Sequence, residues 1–176
     1  MEKIKEKSPF ELDVVSVRLV KDAPIISDEP LNNPDKVIKA VGSFLSELDR
    51  EALCVINLKS DLTPINMSVA SMGTLNYAVF HPRELLKAAI LSNAAYIMLA
   101  HNHPSGNIAP SEEDVRITDR MNQICRLIDI PLIEHIIISD NRYFSFNQHE
   151  MLQQPELKFE TDYTKIEMQR PRQRSR

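Results

Sequence analysis

The chain has 176 residues, enough for one well-buried domain with tails and too few for two ordinary ones. Its 43% apolar and 26% charged residues give a soluble globular composition, and a net charge of −4 supplies no general electrostatic pull toward nucleic acid. Met-Glu-Lys-Ile-Lys-Glu-Lys at the start leads into no apolar signal-like run, and no stretch is long enough to cross a bilayer, so the cytoplasm is the expected location and no membrane partner is expected.

Leu12, Val14, Val15, Val17 and Leu19 alternate enough to predict a strand over 12–20. Residues 22–34 hold three prolines and several turn formers, which makes them a connection. From Asp35, Val37, Ile38, Val41, Phe44, Leu45 and Leu48 recur at helical spacing. The apolar run 52–58 suits a central strand, 61–64 marks a turn, and 65–72 reads as the next strand. Gly73 then punctuates before an apolar segment over 75–80. A helix opens at His81-Pro82, with proline in its first turn and Leu85, Leu86, Ala89 and Ile90 on one side.

Residues 94–101 are apolar up to their last member and predict a buried strand that delivers His101 at its end. Ser111 and Asp114 open a helix whose Ile117, Met121, Ile124 and Ile128 share one face, and strands follow over 131–138 and 142–146. Cys54 and Cys125, far apart in apolar contexts, read as buried reduced thiols. From Gln153 onward no periodicity survives, and Arg170, Arg172, Arg174 and Arg176 give a solvated basic tail. The expected layout is an N-terminal strand and connection over 1–33, one domain over 34–152, and a tail over 153–176. Interleaved helices and strands place the domain in the α/β or α+β class, with a mixed sheet covered by helices.

The chemistry concentrates in residues 101–114. His101 and His103, two residues apart on an extended segment, project from one face. Asp114, eleven residues after the second histidine, can complete three protein ligands and leave one tetrahedral position for water, the arrangement of a catalytic zinc. Ser111, three residues before Asp114, is placed to serve a developing oxyanion. Ser-Glu-Glu-Asp is also a helix N-terminus, with Ser111 as cap, Asp114 reaching back and three acids facing the dipole. The two roles are compatible, because a capped helix start is a rigid support for a site. His81 and His135 read as structural or supporting groups, and His149 carries no signal.

His-x-His, seven residues, Ser, two residues, Asp resembles the signature of the JAMM (MPN-domain) metalloproteins at every specified position: His101, His103, Ser111 and Asp114. The flanks resemble the bacterial RadC branch: Gly73-Thr-Leu-Asn, His81-Pro-Arg-Glu, Ser92-Asn-Ala-Ala, Ala100-His-Asn-His-Pro-Ser-Gly, Pro110-Ser, Ile130 with His135-Ile-Ile-Ile, and Phe144-Ser-Phe. The resemblance covers residues 37–152. It implies an MPN/JAB-like three-layer arrangement of the cytidine-deaminase type, and one zinc ion per chain held by His101, His103 and Asp114. It also implies an upstream glutamate that activates water. Glu51, directly before the run 52–58, is the expected base, with Glu47 and Glu84 as alternatives.

The expected function is that of a zinc metallopeptidase or isopeptidase acting on a protein or peptide. The alternative is a non-catalytic MPN-like interaction module linked to DNA repair or mobile-element biology. RadC-like proteins carry a helix-hairpin-helix module, but the residues before 34 have neither its glycine pattern nor its length, so nucleic acid is the weaker expected partner.

Overall fold

The computed structural model describes residues 27–73, 81–139 and 142–153, together with Ser16, residues 18–22 and Ile25. Among these lie three helices and five strands: α1 (Pro34–Ser46), β1 (Ala52–Leu58), β2 (Pro64–Met72), α2 (Pro82–Leu91), β3 (Tyr96–Asn102), α3 (Glu112–Leu127), β4 (Leu132–Ser139) and β5 (Arg142–Ser145). The predicted strand over 12–20 falls mostly outside the described residues, and its described members, Ser16 and 18–20, form no strand. The segment 75–80 and the tail beyond 153 also fall outside them.

The strands form one mixed sheet in the order β2-β1-β3-β4-β5. β1 pairs antiparallel with both β2 and β3, and β5 pairs antiparallel with β4. β3 and β4 are parallel, which requires a crossover, and α3 supplies it. The alternation of side chains along each strand splits the core in two. On one face Cys54, Ile56, Leu58, Met98 and Ile136 pack against Val37, Val41 and Leu45 of α1. On the other, Leu53, Val55, Ile97 and Leu99 pack against Leu85 and Ala89 of α2 and Ile117, Met121 and Cys125 of α3. The result is the three-layer α/β arrangement expected from the sequence.

Helix ends explain how short connections suffice. Asn33 caps α1 through its side chain, with Pro34 at the first helical position. α2 and α3 both close through a left-handed residue, Asn93 (φ 49°) and Asp129 (φ 58°), types that tolerate this conformation. The amides of Ala94 and Ile130 then reach back to the carbonyls of Ala89 and Cys125, at 3.1 and 3.0 Å, and the chain turns straight into β3 and β4.

Two predicted core positions are corrected. Ile90 and Ile128 are 56% and 39% exposed: Ile90 lies in the last turn of α2, and Ile128 is the C-cap just past α3, where the helical periodicity has ended. Both cysteines are buried and free, as expected.

Candidate metal centre

β3 ends under the N-terminus of α3, so His101 and His103 come from a strand end and Ser111 and Asp114 from the helix start beside it. This is the crevice outside the carboxyl end of a strand where α/β sheets bind ligands. His103 lies just past β3 but stays extended, because its amide donates to the Ile138 carbonyl (2.9 Å) and Ser139 Oγ donates to its carbonyl (2.8 Å). The two imidazoles therefore share a face, with their Nε2 atoms 2.9 Å apart.

Asp114 meets both rings. Its Oδ1 is 3.2 Å from His101 Nε2 and its Oδ2 is 3.5 Å from His103 Nε2. All three residues are buried, and the group is the one cluster of three or more potential metal-ligating side chains among the described residues. A tetrahedral ion with ligand bonds of about 2.1 Å separates its donors by roughly 3.4 Å, close to these spacings. His103 Nδ1 donates to the Asn107 carbonyl at 2.6 Å, which leaves its Nε2 bare for a metal. The donor set thus fits a divalent metal in number, spacing and chemistry.

Electrostatics point the same way. Burial would raise the Asp114 pKa, but the adjoining His101 and His103 rings and the Ser111 hydroxyl outweigh it and hold the carboxyl well below the usual carboxylate range. The Asp114 carboxylate raises the His103 pKa against the opposing effect of burial, with Asn107 and Glu51 adding to the rise. Asp114 is therefore the anionic member of the set.

Ser111 caps α3, and Asp114 completes the capping box, as the sequence predicts. The Ser111 hydroxyl accepts from the Asp114 amide at 3.1 Å and donates to Asp114 Oδ2 at 2.6 Å. Its hydrogen is thus committed to the ligand carboxylate in this arrangement.

Glu51 directly precedes β1 and is half-buried. β1 and β3 are in register from Leu58↔Tyr96 to Leu53↔His101, so Glu51, two residues before Leu53, and His103, two residues after His101, lie beyond the same end of the paired strands. Its charge acts on His103 accordingly. Glu47 is exposed at the C-cap of α1, and Glu84 is exposed and tied to Lys87 Nζ at 2.6 Å. Of the three glutamates, Glu51 alone is brought into electrostatic contact with the ligands.

His135 has no exposed surface and lies 2.9 Å, Nε2 to Nδ1, from His101. Burial, followed by the neighbouring His101, pushes its pKa well down, so it is neutral. His81 is an exposed helix-cap position whose side chain makes no cap hydrogen bond, and His149 stacks on Phe144 away from the three ligands. Sequence reasoning missed Thr118, whose hydroxyl bridges Asp114 and His135, and Asn102, the residue between the two ligands. A hydroxyl one helical turn after Asp114 and a polar residue ending an apolar strand were the available signals.

A family model for the RadC-like JAB domain matches residues 31–151. The chain belongs to that family. It is 37% identical over 132 residues to a UPF0758 protein of Desulfitobacterium hafniense, covering 72% of this chain and 58% of the relative. A UPF0758 protein of Clostridium perfringens is 37% identical over 122 residues, 69% and 54% of the two chains. One from Haemophilus ducreyi is 36% identical over 125 residues, 71% and 56%. The chain spans a little over half the length of these relatives. The JAB-domain match spans His101, His103, Asp114, Ser111 and Glu51, and the family and the buried candidate donor set together make this a JAMM-type metal-binding domain. Among the described residues no helix is long and apolar enough to cross a membrane.

Proposed function

We propose that this domain is a zinc-dependent metallohydrolase of the JAMM type that cleaves an amide bond in a protein or peptide, as a peptidase or isopeptidase. The observation that carries the reading is the convergence of two imidazole Nε2 atoms and one carboxylate, with three and not four donors among the described residues. Zinc, when bound there, would bring the pKa of a water toward about 7 and polarise the scissile carbonyl.

The remaining work falls to the chain's own side chains. Glu51, at the head of β1 and electrostatically coupled to His103, takes the proton from the attacking water and passes it to the leaving nitrogen. Ser111 Oγ–H turns from Asp114 Oδ2 toward the developing oxyanion. Free Cys54 and Cys125 support a reducing, cytoplasmic setting.

One observation favours the alternative of a non-catalytic module: the Ser111 hydrogen is engaged within the cap. Zinc-loaded protein assayed against quenched-fluorescence peptides and isopeptide-linked conjugates separates the two. Glu51→Gln should keep the metal and lower hydrolysis by about 100-fold or more. Full activity in that variant would move the base elsewhere, and cleavage that survives removal of the metal would overturn the proposal.

A further inference from the structure

An imidazole can ligate through Nε2 only if its proton sits on Nδ1. For His103 the Asn107 carbonyl settles this directly. His101 has no carbonyl at its Nδ1. It faces a second histidine, whose ring nitrogens can donate or accept, so the proton's position has to be traced one bond further out.

The trace begins at a group that can only accept. The Asp114 carbonyl lies 2.5 Å from Thr118 Oγ1, and the single hydroxyl hydrogen of Thr118 is therefore directed there. The same oxygen lies 2.6 Å from His135 Nδ1. With its hydrogen already placed, Oγ1 accepts, and His135 Nδ1 is the nitrogen that carries a proton. A second proton on His135 would create a wholly buried cation beside two other imidazoles, so its Nε2 is bare. That bare Nε2 accepts from His101 Nδ1 at 2.9 Å. The His101 proton is thereby fixed on Nδ1, and its Nε2 is left open toward His103 and Asp114. Reversing any one step leaves a short contact within the relay with two hydrogens or with none; the contacts that carry no hydrogen in the assigned pattern are those among the three donors themselves, where a metal ion would sit.

We infer that Thr118 and His135 are positioning residues of the metal centre: a buried relay that locks His101 in its ligating tautomer and on which metal affinity depends. The inference rests on the metal-site reading above. Phe146, stacked on His135 with centroids 4.7 Å apart and planes 8° from parallel, holds the ring in the plane the relay needs. The relay starts at the backbone of one ligand, Asp114 on α3, and ends at the ring of another, His101 on β3. Movement of α3 off the sheet would therefore release the tautomer as well as the carboxylate. A residue that only filled this part of the core would not need both of its ring nitrogens engaged, and an apolar side chain would serve.

The test combines a spectrum that needs no metal with a titration that does. Two-bond ¹⁵N–¹H correlation of histidine-labelled, metal-free protein should show His101 and His135 as neutral Nδ1–H tautomers. Thr118→Val should scramble that preference in both rings. In competition with a chromophoric chelator, His135→Phe should bind Zn²⁺ about 10- to 100-fold more weakly than wild type. His135→Gln, whose carbonyl can accept from His101, should recover most of that loss.

An Nε2–H tautomer at His101 in the wild type would overturn the relay, as would a folded His135→Phe with unchanged affinity. If His135→Phe does not fold, the wild-type spectrum and Thr118→Val decide. The expected tautomers in a wild type that takes up no Zn²⁺ would instead overturn the metal-site reading, and with it the relay's part in affinity.

Discussion

The Asn102 side chain brackets Glu51, accepting from the Ala52 amide at 2.8 Å and donating to the Arg50 carbonyl at 3.0 Å. Glu51's own carbonyl accepts from the Gly73 amide at 2.8 Å, so the backbone around the proposed base is held on both sides. Asn102 is 4% exposed and stands between the two ligating histidines, with its side chain on the opposite face of the strand. One three-residue segment thus supplies two candidate metal donors on one face and the anchor of the proposed base on the other.

Asn102→Ala leaves the buried Ala52 amide without its partner. Urea unfolding should show a loss of about 1–3 kcal/mol. Metal content should match wild type, and hydrolysis should fall through kcat. A variant as stable as wild type would show that the bracket contributes nothing.

Ser111 combines a cap and a proposed oxyanion contact, and two substitutions separate them. Ser111→Ala removes both and should cost about 1 kcal/mol of stability. Ser111→Asn keeps a capping oxygen and should fold as well as wild type, yet hydrolysis in both variants should fall by about 100-fold or more. Wild-type hydrolysis in Ser111→Asn would remove the oxyanion role.

The candidate site was legible in the sequence because its residues are local: His101, His103, Ser111 and Asp114 lie within fourteen residues, on a strand end and a capped helix. Strand and helix positions were legible wherever apolar periodicity was unbroken, as in β1, β3 and α3. The supporting contacts were not, because they join residues that only the sheet brings together. Asn102 acts on Arg50 and Ala52 about fifty residues away, and His135 acts on His101 thirty-four residues away across the parallel pairing of β3 and β4. Glu51 lay between: it could be proposed from its place before β1, but the β1–β3 register is what brings it to the same end of the sheet as His103.

Glu134 offers a pH test away from the ligands. Burial raises its carboxyl above the ordinary 4.5, against hydrogen bonds from Ser145, Asn147 and the His135 amide. Between the unfolded and the raised folded pKa the native state holds a proton that the unfolded chain has lost. The contribution is therefore full below the unfolded pKa and is lost as pH rises through the folded one. Glu134→Gln should gain stability relative to wild type between about pH 4.5 and pH 7.5, read by urea unfolding at each. A difference that does not change with pH would contradict this.

Burial pushes the thiols of Cys54 and Cys125 up to about 12. Since the thiolate is the reactive form, both should resist a thiol-specific reagent in the folded protein and react in denaturant. Rapid labelling of the native protein by two equivalents would show that the two core layers open.

Metal analysis of the purified protein beside His103→Ala and Asp114→Ala bears most directly on the site. The wild type should hold one zinc ion per chain after dialysis. Each variant should lose it while keeping the wild-type circular dichroism spectrum. A wild type that binds no zinc, or variants that retain it in full, would contradict the centre assigned to His101, His103 and Asp114.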